Sequence, residues 1–229
     1  MSDLKVPPSL SSLDFDGADG VVFDFGGVIS VSPRDPDTGD WALYDYCAGI
    51  GVPRAALEDG WRTMRHLWDG GFITFEEMYG RIFSSAGVEL TPAVLSDLWE
   101  IDAVGWIRNL RPDTLELMRA LKSAGRKIGI LSNMSPDFHE RLFVPRAAAY
   151  RALADAEVIS GLERLYKPER PIYDLTEKRM GLPASRLLFL DDTLSNVDAA
   201  RSYGWLAQLY PPPAKESNST KGRTQCMRQ

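Results

Sequence analysis

A parallel, doubly wound α/β sheet carrying a helical insertion is the fold class this sequence predicts, on three observations. Short apolar runs alternate with helical patterns along the chain. The runs are apolar throughout, not at every second residue, as strands covered on both faces should be. The stretch between the first and second runs, residues 26–126, is far longer than one crossover helix needs.

The predicted strands are GVVFDF (20–25), KIGILS (127–132), AEVIS (156–160), RLLFLD (186–191) and WLAQLY (205–210). Helical patterns separate the last four: SPDFHERLFVPRAAAYRALA, KPERPIYDLTEKRMG and LSNVDAARSYG. The RMG and SYG endings place a glycine just past the last turn, where its tolerance of positive φ stops a helix. Strand–helix alternation of this kind closes into a parallel sheet with helices on both faces.

RPDTLELMRALKSAG (111–125) suffices as the crossover into the second strand. The remainder of the long stretch reads as helices: WALYDYCAGI, PRAALEDGWRTMRHLW, TFEEMYGRIFSSAG and TPAVLSDLWEIDAVG. Thr74 with Glu77 has capping-box spacing, and Thr91 precedes Pro92 at a first helical position. The chain therefore divides into an irregular arm (1–19), an α/β core (20–35 and 109–210), a helical insertion (36–108) and a tail (211–229). The tail is rich in Pro, Ser and Lys, and its composition predicts disorder.

At 229 residues, 44% hydrophobic and 25% charged, the composition is that of an ordinary soluble globular protein. A net charge of −6 without a basic block argues against nucleic acid or an anionic membrane as a partner. Cys47 and Cys226 form neither a disulfide framework nor a metal knuckle, and no apolar stretch approaches membrane-spanning length. These features predict a cytoplasmic protein, monomeric or homodimeric.

Three predicted strands end in polar residues: Asp24, then Ser132-Asn133, then Asp191-Asp192. In an open parallel sheet such tips converge on one crevice, over which the insertion would also lie. Lys167, in LYKPERPIY, follows the strand over 156–160 and completes the set. The combination suits phosphoryl transfer. A carboxylate can attack phosphorus, a hydroxyl and an ammonium can bind the phosphate oxygens, and a hard divalent cation must separate the anions. Mg²⁺ is the expected cofactor and a small phosphorylated metabolite the expected partner.

At this point the sequence resembles the haloacid-dehalogenase (HAD)-like superfamily, in its branch with a small helical cap after the first strand. FDFGGV, ILSN, YKPERPIY and FLDDTLSNVDAA match the four motifs in order, and the resemblance covers about 20–210. It implies a Rossmann-like core with Asp24 as nucleophile and metal ligand, and the Gly26 carbonyl as a second ligand. It implies that Ser132, Asn133 and Lys167 contact phosphate. It also implies that Asp192 ligates the metal, with Asp191 beside it as a further ligand or as support behind one.

Gly26 departs from the pattern, since phosphatases of the superfamily carry an acid–base Asp there. The loss of that group typically costs about 10²–10⁴ in rate. Dehalogenases also lack it, but work without metal and need no paired aspartates. The DxGGV type is similar to sugar-phosphate phosphatases, so the sequence reading favours a Mg²⁺-dependent phosphatase over a 2-haloacid dehalogenase or a catalytically weak binding protein. Gly26 is expected to be present because the backbone needs positive φ or room for a ligand. His66, Asp69 and Glu76 are remote candidates for the missing acid, Arg34 reads as a loop residue exposed to solvent, and the tryptophans of the insertion read mainly as core.

Overall fold

The structure is a computed structural model and describes residues 4–34 and 39–210. The tail predicted to be disordered lies outside the described residues. Strands β1 (Gly20–Phe23), β2 (Lys127–Ser132), β3 (Ala156–Ile159), β4 (Leu187–Asp191) and β5 (Leu206–Leu209) form one parallel sheet in the order β3-β2-β1-β4-β5. The chain starts at the centre, winds out through β2 and β3, and returns to the other side of β1. The strand order reverses at β1, and that switch point opens a crevice at the carboxyl ends.

Successive side chains on a strand point to opposite faces, and both faces are buried. Val21 and Phe23 join one core cluster with Ile128, Ile130, Leu188 and Leu190. Val22, between them, joins another with Leu131, Val158 and Phe189. The continuous apolar runs of the sequence have this cause.

The insertion contributes α1 (Ala42–Gly49), α2 (Arg54–Asp69), α3 (Phe75–Ser85), α4 (Pro92–Leu98) and α5 (Val104–Arg108). The capping box of α3 is formed: the Glu77 amide donates to the Thr74 hydroxyl at 3.1 Å, and the Thr74 amide to Glu77 at 2.7 Å. A π-turn, Trp99–Ala103, joins α4 to α5 where a single helix was predicted. The crossover helix α6 is Pro112–Ser123. The run predicted as one helix over 135–154 is broken, with a π-turn at His139–Phe143 and Pro145 just beyond it. Proline in a helix interior removes a donor, which accounts for a break there. Helices α7 (Arg170–Met180) and α8 (Leu194–Ser202) follow, and α7 stops at Gly181 with φ +60°. Among the described residues, no helix is long and apolar enough to cross a membrane.

Residues 4–19 are irregular but packed. Leu10, Leu13, Phe15 and Ala18 are buried, and Arg126 donates to the carbonyls of Phe15 and Ala18.

The end of α2 is fastened to the core. The Trp68 indole donates to Asp137 at 3.1 Å, and the Ser160 hydroxyl donates to the Asp69 carbonyl at 2.6 Å. Glycines permit this close approach. A Cβ on Gly71 would lie 2.8 Å from the Gly161 carbonyl oxygen, and one on Gly161 would lie 3.0 Å from that of Asp69.

Candidate active site

Asp24 is one residue past β1, where its amide still bonds Leu190 of β4 at 3.0 Å, so the ladder aims the side chain at the crevice. Oδ1 accepts from the Phe25 amide at 2.7 Å and lies 2.9 Å from Lys167 Nζ. Oδ2 has no partner among the described residues. One oxygen is held and the other is free to react.

Lys167 is 4% exposed and also donates to Asp191 Oδ2 at 2.7 Å. Burial alone would depress its pKa, but the carboxylates of Asp191 and Asp24 outweigh burial and raise it, so the ammonium stays charged. Burial raises the Asp24 carboxyl, opposed by Lys167 and reinforced by Asp191 and Asp192. Burial likewise raises Asp192, again reinforced by Asp191. Three carboxylates thus face one ammonium, an arrangement that a bound cation would relieve.

The site residues are engaged to different degrees. Asp191 is fully buried behind Lys167. Its oxygens also accept from the Thr193 amide at 2.8 Å and the Asn196 amide group at 3.1 Å. It holds Lys167 in place, and Asp192 is the more open of the pair. Asn133 lines the cleft, and its side chain donates to the Lys167 carbonyl at 2.9 Å and accepts from the Lys167 amide at 2.8 Å, which leaves one N–H of its amide group uncommitted. Ser132, only 2% exposed, lines the cleft, and its hydroxyl makes no hydrogen bond among the described residues.

The glycine expectation needs correction. Positive φ belongs to Gly27, at +71°, not to Gly26. A Cβ on Gly27 would lie 2.0 Å from Asp192 Oδ2, so the loop must be bare where it passes this carboxylate. At Gly26 a Cβ would touch the Trp106 ring at 3.4 Å, an ordinary contact. Trp106 of α5 is thus the near neighbour of position 26, which otherwise faces the cleft.

The cleft encloses about 690 Å³ between the strand tips and the insertion. On the insertion side Arg65 lies between the rings of Trp61 and Trp68, at 4.2 and 4.4 Å. It pairs with Asp69 at 3.1 Å and with buried Asp102 at 3.4 Å. Burial pushes Asp69 up to about 6 against the pull of Arg65. Asp69 lines the cleft, whereas His66 and Glu76 are not among the lining residues, and the His66 ring lies 6.3 Å from that of Tyr166. Arg34 is half-buried and lines the cleft, against the solvent-exposed reading. Asn196, in the first turn of the helix that follows Asp191–Asp192, carries no local sequence signal for its bond to Asp191.

Asp24, Asp191 and Asp192 can each bring one oxygen within 4.8 Å of the others. The Gly26 carbonyl receives no hydrogen bond among the described residues. This all-oxygen donor set fits a hard cation such as Mg²⁺. With Asp191 engaged on Lys167, the holding residues would be Asp24, Asp192 and the Gly26 carbonyl.

A family model described as haloacid dehalogenase-like hydrolase matches residues 18–204. An (S)-2-haloacid dehalogenase of Pseudomonas fluorescens is 33% identical over 153 residues, covering 66% of this chain and 56% of that protein. The chain thus spans only about half the length of the dehalogenases it matches. A phosphatase of Mycobacterium tuberculosis is 26% identical over 194 residues, covering 82% of this chain and 85% of that protein. Among solved structures, a HAD family enzyme of Bacteroides thetaiotaomicron in complex with magnesium and inorganic phosphate superposes with a TM-score of 0.65 at 18% identity. That match covers 87% of this chain and 98% of the other.

Proposed function

The chain belongs to the haloacid dehalogenase-like hydrolases, and from that premise we propose that it is a Mg²⁺-dependent phosphatase acting on a small phosphomonoester in the cytoplasm. One observation carries the reading: Asp24 has a held oxygen and a free one, with Lys167 on one side and the open carboxylate of Asp192 on the other. In the first step Asp24 Oδ2 attacks phosphorus, the bond to the leaving oxygen breaks, and an aspartyl-phosphate forms. In the second step water attacks that phosphorus, releasing inorganic phosphate and returning the carboxylate.

Bound Mg²⁺ supplies the positive charge that lets a phosphate dianion approach a carboxylate. Lys167 Nζ neutralises charge developing on the phosphoryl oxygens, and the Ser132 hydroxyl donates to one of them. Asp191 and Asn133 keep Lys167 where this is possible, one through its ammonium and the other through its backbone. With glycine in place of an acid at position 26, the reading favours leaving groups that depart as stable anions, as from a sugar 1-phosphate.

A panel of metabolite phosphates assayed for phosphate release, with and without EDTA, tests the reading. Release that needs Mg²⁺ and disappears in Asp24→Asn supports it. The dehalogenase relatives and Gly26 favour a second reading, in which Asp24 displaces halide from a 2-haloacid. Halide release that survives EDTA would replace the first reading with the second.

A further inference from the structure

Four cationic side chains line the cleft: Lys167, Arg65, Arg62 and Arg34. Three have carboxylate partners. Lys167 is paired with Asp24 and Asp191, Arg65 with Asp69 and Asp102, and Arg62 with Asp59. Arg34 has no ion pair among the described residues, and its Nε is buried without a hydrogen-bond partner. Asp102 feels the charge of Arg34 but is already bonded to Arg65 and Tyr79.

The guanidinium is nevertheless held. Its carbon lies 4.9 Å from the Trp41 ring centroid and 5.0 Å from that of Trp61. Aromatic faces fix the plane of an arginine while leaving its in-plane donors free. A donor buried without a partner costs free energy, which an incoming acceptor recovers.

We propose that Arg34 selects the substrate by binding a second anionic group, carried on the leaving-group part of the phosphomonoester. The proposal rests on the phosphatase reading above. Asp24, Ser132 and Lys167 take the phosphate at the strand tips, so the remainder of the substrate extends toward the insertion. There Arg34 offers only donors, arranged in a planar fork. The group that matches it is a compact acceptor-only anion, a carboxylate or a second phosphate. Trp61 and Trp106 line the same cleft and supply apolar surface for the carbon atoms between the two anions.

The test uses the full chain with Mg²⁺ and three phosphomonoesters: a phosphorylated hydroxy acid, its uncharged amide, and the matching bisphosphate. Charge-assisted hydrogen bonds of this kind correspond to about 10- to 100-fold in binding. The wild type should prefer one of the anionic esters over the amide by that factor in kcat/KM, and the preferred one identifies the group. Arg34→Gln should bring the preference below about threefold, with the loss in KM and not in kcat, and Arg34→Lys should restore part of it. A wild type without preference, or a Gln variant that slows all three esters equally, overturns the proposal.

If none of the esters is hydrolysed and the metabolite panel shows no Mg²⁺-dependent phosphate release, the phosphatase reading falls, and binding then decides on Arg34. Tryptophan fluorescence, with Trp41 and Trp61 as reporters, would follow titration by phosphonoacetate, methylenediphosphonate and methylphosphonate. Tighter binding of a two-anion ligand than of methylphosphonate, lost in Arg34→Gln, supports the proposal. Equal binding of all three ligands overturns it.

Discussion

The two walls of the cleft are stabilised in different ways. At the strand tips charges are held by neighbours on adjacent strands and loops: Lys167 bridges Asp24 and Asp191, and Asn196 and Thr193 hold Asp191 from behind. Position there follows from the ladder, because Asp24 and Asp191 sit at the ends of paired strands. On the opposite wall, side chains are positioned by tryptophans. Arg65 is enclosed by two rings and fully paired, while Arg34 is supported by two rings and left open. Under the proposed function, chemistry falls to the wall the backbone fixes, and substrate choice to the wall that packing fixes and substitution can alter.

The largest expected effect is at the fixed wall. Asp24→Asn should lower turnover by about 10⁴-fold or more, the scale on which loss of a nucleophile acts, while the melting temperature stays close to wild type. Retention of most activity would remove the covalent mechanism. Asp191→Ala should act mainly through stability, because it strips Lys167 of a buried partner. Breaking such a pair costs about 3–5 kcal/mol, measurable by urea unfolding. Asp192→Asn should instead leave stability near wild type and raise the Mg²⁺ concentration needed for activity. If the two variants behave alike, the division between a holding acid and a metal acid is wrong.

Gly26→Asp probes the point where one wall reaches the other. The new carboxylate, set against the Trp106 ring and beside Asp24 and Asp192, should lower kcat through added negative charge at the site. A gain on poor leaving groups would instead mean that the carboxylate supplies the missing acid.

The smallest effect is a control far from the cleft. Burial of Glu157 on β3 raises its pKa, but His139 and Arg151 more than reverse this and lower it from 4.5 to about 2. The carboxylate therefore stabilises the fold fully above its unfolded pKa, and the contribution disappears as pH falls from about 4.5 to about 2. Glu157→Gln should lose on the order of 2 kcal/mol at neutral pH and flatten the acid limb of an unfolding-against-pH curve, with kcat unchanged.

The fixed wall was largely legible in the sequence. An apolar run ending in Asp24, and another ending in Ser132, already imply tips of a parallel sheet, and Lys167 and Asp192 followed by order along the chain. Where the sequence left roles open, side-chain competition decides the outcome. Asp191 and Asp192 are adjacent and chemically identical, and only the fold shows that one faces Lys167 and the other the cleft. The Asn133 amide suits a phosphate as well as it suits the Lys167 backbone. Gly26 and Gly27 look interchangeable until Asp192 is seen beside one and Trp106 beside the other. Arg34 depends on Trp41 and Trp61, partners distant along the chain, and no local pattern announces that packing.

The Ser160 hydroxyl has a consequence for recombining such proteins. It links the last turn of α2 to the segment after β3, across a seam where Gly71 and Gly161 let two backbones touch. A chimera that exchanges only residues 36–108 for a relative's helices would keep one half of that seam and lose the other. Transferring a specificity into this scaffold therefore requires moving residues 160 and 161 with the helices, although they lie in the core portion of the chain. The seam makes the two parts a single unit of inheritance, even where the chain suggests separable modules.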